Sequence, residues 1–483
     1  MNVNTILSDV LSGARMTEEE AAFLFSLKGR DVWKVADAAD ELRERKVGDA
    51  VTYVRNMNIH LTNICKNRCG LCGFGRKPTE PDAFCFTDEE FREHCRDALS
   101  KNVTEVCYLA GIHPAFTIEN YENIIRTFHE VIPGVHVHGC SPDEILYAAE
   151  RSGITTKEAL IRLKEAGLGS VQGTAAEILV DRVRKIICEK KLPTAEWVRI
   201  IREAAELGFK ATSTIMYGSV ETDAERAEHL RILRDLQDET HVFEELVPLS
   251  FLHKNTPLEQ AGIVSHGATG RQDVLLVAVS RLFMDNVNNI QVPWSKIGQK
   301  MTEVCLMAGG NDVGGTMFVD SLSREAADLG FKATSTIMYG SVETDAERAE
   351  HLRILRDLQD ETHVFEELVP LSFLHKNTPL EQAGIVSHGA TGRQDVLLVA
   401  VSRLFMDNVN NIQVPWSKIG QKMTEVCLMA GGNDVGGTMF VDSLSREAGT
   451  AEGTDYFSPE DMQMICEDMG RVLKQRDTLY NIL

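Results

Sequence analysis

Three cysteines stand at C-x3-C-x2-C spacing in the stretch Cys65-Lys66-Asn67-Arg68-Cys69-Gly70-Leu71-Cys72. Three thiolates on one tight loop can each bind one iron of a 4Fe–4S cube, which leaves the fourth iron open to a small molecule. Zinc is the other chemistry for this spacing. It asks for a fourth ligand, for which Cys85 or His60 would serve. The scattered Cys85, Cys95, Cys107, Cys140, Cys188, Cys305 and Cys466 read as core or surface thiols. Eleven cysteines, odd in number and unevenly spaced, fit metal ligation in a reducing compartment better than a disulfide framework.

The elements around this loop decide where it sits. Short β-branched runs alternate with longer amphipathic segments, which predicts strands at 57–61, 105–110, 135–138, 169–173, 211–216, 242–248, 289–292 and 313–317. Helices are expected between them at 88–100, 119–131, 156–165, 194–207, 223–237, 270–286 and 295–308. This α/β alternation is that of a parallel (β/α) barrel of TIM type, whose active sites lie at the C-terminal ends of the strands. A doubly wound open sheet is the alternative. Residues 17–46 read as two helices opened by Thr17-Glu18-Glu19-Glu20, forming a lid or a base and not a core, and Ser458-Pro459-Glu460-Asp461 opens a final helix.

At the strand ends, the candidate hydrogen-bonding residues are His60, His113, His136, His138, Ser141, Glu177, Tyr217 and Asn311-Asp312. Glu177 is favoured, because an acid following an apolar strand would otherwise have to face solvent. Asn255-Thr256-Pro257 reads as a turn. The glycines at 309, 310, 314 and 315 suggest a phosphate cradle, but no lysine follows in P-loop register.

The chain has 483 residues, 43% apolar and 25% charged, which excludes disorder as its main state. Its longest apolar run is the six residues 274–279, so neither a membrane span nor a leader is expected and the cytoplasm is the expected location. A net charge of −22 argues against a nucleic-acid backbone or an anionic membrane surface as partner.

Residues 202–323 recur as 324–445, a tandem repeat of 122 residues with one difference, Glu206 against Asp328. With one copy removed the chain would have 361 residues, ten cysteines and a net charge of −15. Either copy could supply strands five to eight, and only one can close the barrel. Sequential neighbours usually pair, which favours copy one. The C-terminal tail is continuous with copy two, and looping out a long segment costs only a few kcal/mol, since closure entropy grows logarithmically. The expected organisation is an N-terminal helical segment at 1–50, a barrel at 51–323 that includes copy one, copy two at 324–445 as a spare half-barrel with open sheet edges, and a C-terminal tail helix at 446–483.

The cysteine triplet resembles the signature of radical S-adenosylmethionine (SAM) enzymes, in which the cosubstrate's amino and carboxyl groups chelate the open iron. Ala110-Gly111 resembles the turn that receives the methionine amino group, with Ala110 in the place of the family's first glycine. Residues 213–221, Ser-Thr-Ile-Met-Tyr-Gly-Ser-Val-Glu, resemble its adenine-packing segment and bring in Met216, Gly218 and Glu221. Phe74 would approach the adenine edge. The resemblance also implies a cofactor role for Ser141 and Glu177.

Longer stretches, among them NIHLTNICKNRCGLCGF, VHVHGCSPDEI, LKEAGLGSVQGTAAEIL and VPWSKIGQKMTEVCLMAGGNDVGGTM, are similar to the FO synthase family, the deazaflavin-forming 5-amino-6-(D-ribitylamino)uracil–L-tyrosine 4-hydroxyphenyl transferases. Futalosine-pathway enzymes of menaquinone synthesis share the layout, but Gly173-Thr174-Ala175-Ala176-Glu177 has the deazaflavin form. The resemblance implies a radical SAM barrel with a 4Fe–4S cluster and SAM. It further implies hydrogen abstraction from L-tyrosine and transfer of its 4-hydroxybenzyl group to the ribityl-diaminouracil, with the first FO synthase subunit as functional partner. The competing expectations are a menaquinone enzyme and an iron–sulfur protein inactivated by the duplication.

Overall fold

The structure is a computed structural model that describes residues 1–316, 335–362, 367–438, 457–476 and 482. Three helices come first, α1 (Val3–Leu11), α2 (Glu18–Phe25) and α3 (Arg30–Val47). The chain continues through β1 (Thr52–Val54), β2 (Asn56–His60), α4 (Asp88–Ser100), β3 (Glu105–Leu109), α5 (Ile118–Val131), β4 (His136–Gly139), α6 (Pro142–Ser152), α7 (Thr156–Ala166), β5 (Ser170–Val171), α8 (Asp181–Ile187) and α9 (Thr194–Glu206). Copy one holds β6 (Lys210–Tyr217), α10 (Asp223–Thr240), β7 (Phe243–Ser250), α11 (Pro257–Gln260), α12 (Gly270–Phe283), β8 (Asn289–Ile290), α13 (Trp294–Ile297), α14 (Gln299–Leu306) and β9 (Asp312–Gly315). Copy two holds β10 (Ser335–Tyr339), α15 (Asp345–Thr362), β11 (Glu367–Ser372), α16 (Pro379–Gln382), α17 (Gly392–Phe405), β12 (Asn411–Ile412), α18 (Trp416–Ile419) and α19 (Gln421–Met429), and the tail contributes α20 (Pro459–Asp468).

Strands β2 to β8 form one parallel sheet in sequence order. Strand β9 pairs in parallel with β1, one residue ahead of β2, and a bridge between Gln291 and Asp312 joins it to the end of β8. The Val292 N–H donates to Asp312 O at 2.7 Å and the Thr52 N–H to Asn311 O at 2.9 Å, so the hydrogen-bonded circuit returns on itself. This is the TIM-type barrel and not the doubly wound alternative, and its strands β6 to β9 come from copy one. The copy-two strands form a separate parallel sheet, β10-β11-β12. The repeat seam at 323–324, the junction at 445–446 and residue 317 of the expected last strand lie outside the described residues.

Local chemistry fixes the helix starts. Thr17, Thr87, Ser141, Thr155, Thr222 and Thr269 each cap a helix in a reciprocal box with the Glu or Gln three residues on, and Ser458 caps α20 with Pro459 at its first position. The expected helix at 295–308 is instead two, broken at Gly298. Helices α1, α6 and α8 were not anticipated. The N-terminal helices belong to the core, contrary to the sequence expectation: Val32, Val35 and Ala39 of α3 are fully buried in the same apolar cluster as α12. Lys46 Nζ reaches Asp285 O at 2.9 Å and Val287 O at 2.7 Å just past the end of α12, and Arg271 in the first turn of α12 reaches Phe25 O at 3.2 Å and Leu27 O at 3.0 Å, so α3 runs along α12 on the outside of the barrel. Among the described residues no helix is long and apolar enough to cross a membrane.

Candidate active site

The loop after β2 carries the three thiols, and its backbone explains how they converge. The Cys65 N–H donates to Arg76 O at 3.0 Å, the Lys66 N–H to Ile112 O at 2.9 Å and the Cys72 N–H to Cys69 O at 3.1 Å, so both limbs of the loop are tied down. Between them Arg68 turns the chain with φ 46°. Gly111, after β3, comes so close that a Cβ there would meet Ile64 O at 2.5 Å, and its own N–H donates to Thr62 O at 2.8 Å.

Cys65, Cys69 and Cys72 line one cavity of about 260 Å³ at the C-terminal ends of the strands. Of the residues expected at the site, Phe74, Ala110, Gly111, Ser141, Glu177 and Met216 share this cavity with the thiols. Gly218 and Glu221 do not line it. The Glu221 carboxylate accepts the Gly218 N–H at 2.7 Å, the Ser219 N–H at 3.0 Å and Arg226 Nε–H at 2.8 Å, all buried or partly buried. It braces the turn after β6, where Gly218 takes φ 88° with Ala268 packed against its backbone.

Glu177 faces inward, as expected, but with a partner that sequence reasoning missed. It takes a left-handed φ of 47° after β5 and ion-pairs with Lys191, which also lines the cavity. Burial works against the Lys191 charge, but Glu177 and the nearby thiol sulfurs outweigh it and hold the ammonium well above its ordinary pKa. A Lys near the start of a later helix carries no sequence signal that would link it to Glu177.

Asn67 and Glu144 were missed as well. Asn67 Nδ2 donates to Asp143 Oδ2 at 2.5 Å, and Glu144 Oε2 accepts the Ser141 N–H at 2.8 Å and its hydroxyl at 2.6 Å. The other oxygens of this pair, Asn67 Oδ1 and Glu144 Oε1, are buried at the cavity and find no donor among the described residues. Burial pushes the Glu144 carboxyl up to about 7. Two buried acceptors beside an ion pair and three thiols suit a ligand that brings several N–H or O–H donors.

Other candidates are corrected by their positions. His136 opens β4 at the opposite end of the barrel, and both it and His138 contact Ser170 Oγ at 2.7 Å. Asn311-Asp312 opens β9, where Asn311 Oδ1 accepts from Arg281 at 2.6 Å and Asp312 bonds to Thr52. The Tyr217 hydroxyl points away from the cavity and donates to buried Asp273 at 2.7 Å. His60 and His113 pack on Phe74 and Phe116, with ring centroids 5.4 and 4.7 Å apart. The 309–315 glycines are packing residues: a Cβ on Gly309 would meet Ala39, and one on Gly315 would meet Asn56. Thr256 caps α11, in keeping with a turn at 255–257.

The donor set suits a cluster better than a single ion. Among the described residues no three Cys, His, Asp or Glu side chains converge as ligands of one metal ion, whereas a cube takes each sulfur on a different iron. Cys85, proposed as a fourth zinc ligand, is exposed outside the cavity, and His60 does not line it. Burial pushes the Cys69 thiol up to about 12, so a cation must supply the attraction that keeps a thiolate there.

Comparison with known proteins agrees with this geometry. The radical SAM superfamily model matches residues 59–233, and the model of the CofH/MqnC C-terminal region matches twice, at 240–354 and 362–483, with starts offset by the 122 residues of the repeat. The chain is 55% identical over 321 residues to the 5-amino-6-(D-ribitylamino)uracil–L-tyrosine 4-hydroxyphenyl transferase of Methanoculleus marisnigri, covering 66% of this chain and 88% of that one. It is 42% identical over 330 residues to the enzyme of the same name from Methanothermobacter thermautotrophicus, covering 68% and 90%. In fold it is similar to methylornithine synthase, with a TM-score of 0.53 at 19% identity over 66% of this chain and 88% of that one. The FeFe-hydrogenase maturase HydG from Carboxydothermus hydrogenoformans gives a TM-score of 0.52 at 15% identity, covering 65% and 70%.

Proposed function

The chain belongs to the radical SAM family of 5-amino-6-(D-ribitylamino)uracil–L-tyrosine 4-hydroxyphenyl transferases, and we propose that it joins the 4-hydroxybenzyl group of L-tyrosine to 5-amino-6-(D-ribitylamino)uracil in the formation of the deazaflavin FO of coenzyme F-420. The carrying observation is one cavity in which three thiols of a single loop face an ion pair and two buried acceptors. Family membership implies a 4Fe–4S cluster and SAM, which when bound supply a carbon-centred radical able to take a hydrogen atom from tyrosine.

The chain's own part is holding, orienting and excluding water. Cys65, Cys69 and Cys72 would bind the cluster. Phe74, Ala110-Gly111, Ser141 and Met216 would form the wall against SAM, with the Gly218–Glu221 turn fixing Met216 from behind. Glu177, Lys191, Glu144 and Asn67 would meet the polar ends of the two substrates, whose amino, carboxyl and hydroxyl groups need both donors and acceptors. The apolar remainder of the wall keeps water from a reactive intermediate. Three cluster thiols require a reducing compartment, which supports the cytoplasm, and the first FO synthase subunit is the partner we propose to complete the product.

Anaerobic reconstitution with iron and sulfide tests this reading. Brown 4Fe–4S absorbance and 5′-deoxyadenosine release that depends on tyrosine and dithionite support it. Absence of either removes it and leaves the chain a duplicated, inactive relative.

A further inference from the structure

The two repeat copies meet through contacts that are returned pair for pair. Lys422 Nζ of copy two, in the first turn of α19, lies 2.6 Å from Asp273 Oδ2 and 2.7 Å from Ser250 Oγ of copy one. Lys300 Nζ of copy one, at the equivalent place in α14, lies 2.6 Å from Asp395 Oδ2 and 2.7 Å from Ser372 Oγ of copy two. Glu425 accepts the Arg271 N–H at 3.1 Å, and Glu303 accepts the Arg393 N–H at 3.1 Å. The backbones approach equally: a Cβ on Gly270 would meet Lys422 O at 2.5 Å, and one on Gly392 would meet Lys300 O at 2.3 Å.

A contact in which residue i meets j and j meets i is isologous, the mark of a two-fold relation, and head-to-tail packing does not return its pairs. The exchange also answers an electrostatic need. Asp273 is fully buried, and an acid so placed is costly without a paired cation. Burial raises its pKa while Lys422 opposes that rise, and the Tyr217 hydroxyl donates to its other oxygen at 2.7 Å. Tyr217 directly follows Met216 of the cavity wall, so copy two neutralises an acid that anchors the end of a cavity-lining strand.

We infer that the face formed by the N-terminal turns of α12 and α14 is a self-association surface whose partner is a second copy of the same half-barrel, and that copy two occupies it from within the chain. The pairing is exchanged: each copy gives its lysine to the other's aspartate. This surface lies outside the cavity, and the inference does not rest on the reaction proposed above.

Double-variant cycles on the full chain test the exchange, because the partners are copy-specific. Asp273→Asn and Lys422→Met each lower the urea midpoint of unfolding, followed by tryptophan fluorescence, and the double variant falls no further than Asp273→Asn alone. Asp273→Asn and Lys300→Met add in full, while Lys300→Met couples to Asp395→Asn. Coupling of Asp273 to Lys300, or full additivity for every pair, overturns the inference. If Asp273→Asn unfolds the chain, Ser250→Ala, which removes only the hydroxyl beside Lys422, takes its place in the same cycle with the same two readings.

Discussion

Lys191 and Glu177 form an ion pair inside the cavity lined by the cluster-loop thiols, although neither residue is near Cys65, Cys69 or Cys72 in sequence. Glu177 and Lys191 flank α8 within the one connection between β5 and α9, which brings them together, and the barrel sets that connection against the cluster loop. Removing one partner strands the other's charge where water is scarce. Lys191→Met is expected to cost about 3 kcal/mol in urea unfolding, and the double variant Lys191→Met/Glu177→Gln to recover part of it. Substrate-dependent 5′-deoxyadenosine formation should fall at least about tenfold in the single variant, the scale of one lost charged contact.

Replacing any one of Cys65, Cys69 or Cys72 by Ala is expected to abolish 4Fe–4S absorbance after reconstitution. Cys85→Ala, at an exposed site outside the cavity, should leave iron and sulfide content per chain unchanged. Iron and acid-labile sulfide analysis of the four variants checks both statements.

Gly111→Ala introduces a methyl 2.5 Å from Ile64 O, a backbone atom one residue before Cys65. Overpacking of this kind costs about 1–3 kcal/mol, and here the strain falls on the cluster loop itself. Reduced cluster occupancy at unchanged helix content by circular dichroism is the expected result.

Five buried or half-buried groups set opposing pH arms. Burial pushes Glu105 up to about 7, Glu144 to about 7 and Glu245 to about 8 from an ordinary 4.5. The folded state keeps protons that the unfolded chain has released, so this contribution is full below pH 4.5 and is lost as pH rises to about 8. Burial draws His138 down to about 4 and His229 to about 3 from 6.5, so their contribution is present above 6.5 and lost as pH falls towards 3. Of these five groups the carboxyls are the ones that act between pH 6.5 and 8, and Glu245→Gln should flatten the decline of stability there by up to about 1.4 kcal/mol per pH unit. Urea midpoints across pH for the variant and the parent chain check the slope.

Copy two bares a face that copy one covers. Leu397, Val401 and Leu404 of α17 are 43%, 45% and 83% exposed, whereas their counterparts Leu275, Val279 and Leu282 in α12 are 1%, 0% and 1% exposed beneath α2 and α3. The chain has one set of N-terminal helices for two identical docking faces. Leu404→Glu is therefore expected to leave the unfolding midpoint unchanged and to reduce light scattering at high concentration. Leu282→Glu should destabilise by several kcal/mol, as a buried unpaired charge does.

The periodicity made much of this architecture legible. Alternating β-branched and amphipathic runs placed eight strands and gave helix starts such as Asp88 and Thr156 to the residue, where the structure shows the Thr87 and Thr155 capping boxes. The shortness of β5 and β8, two residues each where 169–173 and 289–292 were expected, and the break at Gly298 depend on tertiary pairing and leave little local signal. At the site, the cysteine triplet was legible because its spacing is itself the chemistry. Lys191, Asn67 and Glu144 were not, since a buried lysine and an unsatisfied carboxylate look like surface residues until the fold encloses them. His136 and Asp312 were misplaced although the expected strands at 135–138 and 313–317 already set them at strand starts, the end opposite to the one where such barrels carry their sites.

The measurement that bears most directly on the function is a product assay on the anaerobically reconstituted full chain with SAM, dithionite, L-tyrosine and 5-amino-6-(D-ribitylamino)uracil. Mass spectrometry should find an adduct carrying the 4-hydroxybenzyl group on the ribityl-diaminouracil, lost in Cys72→Ala. Turnover of a futalosine-type precursor in place of these two substrates, with no such adduct, would contradict the assignment.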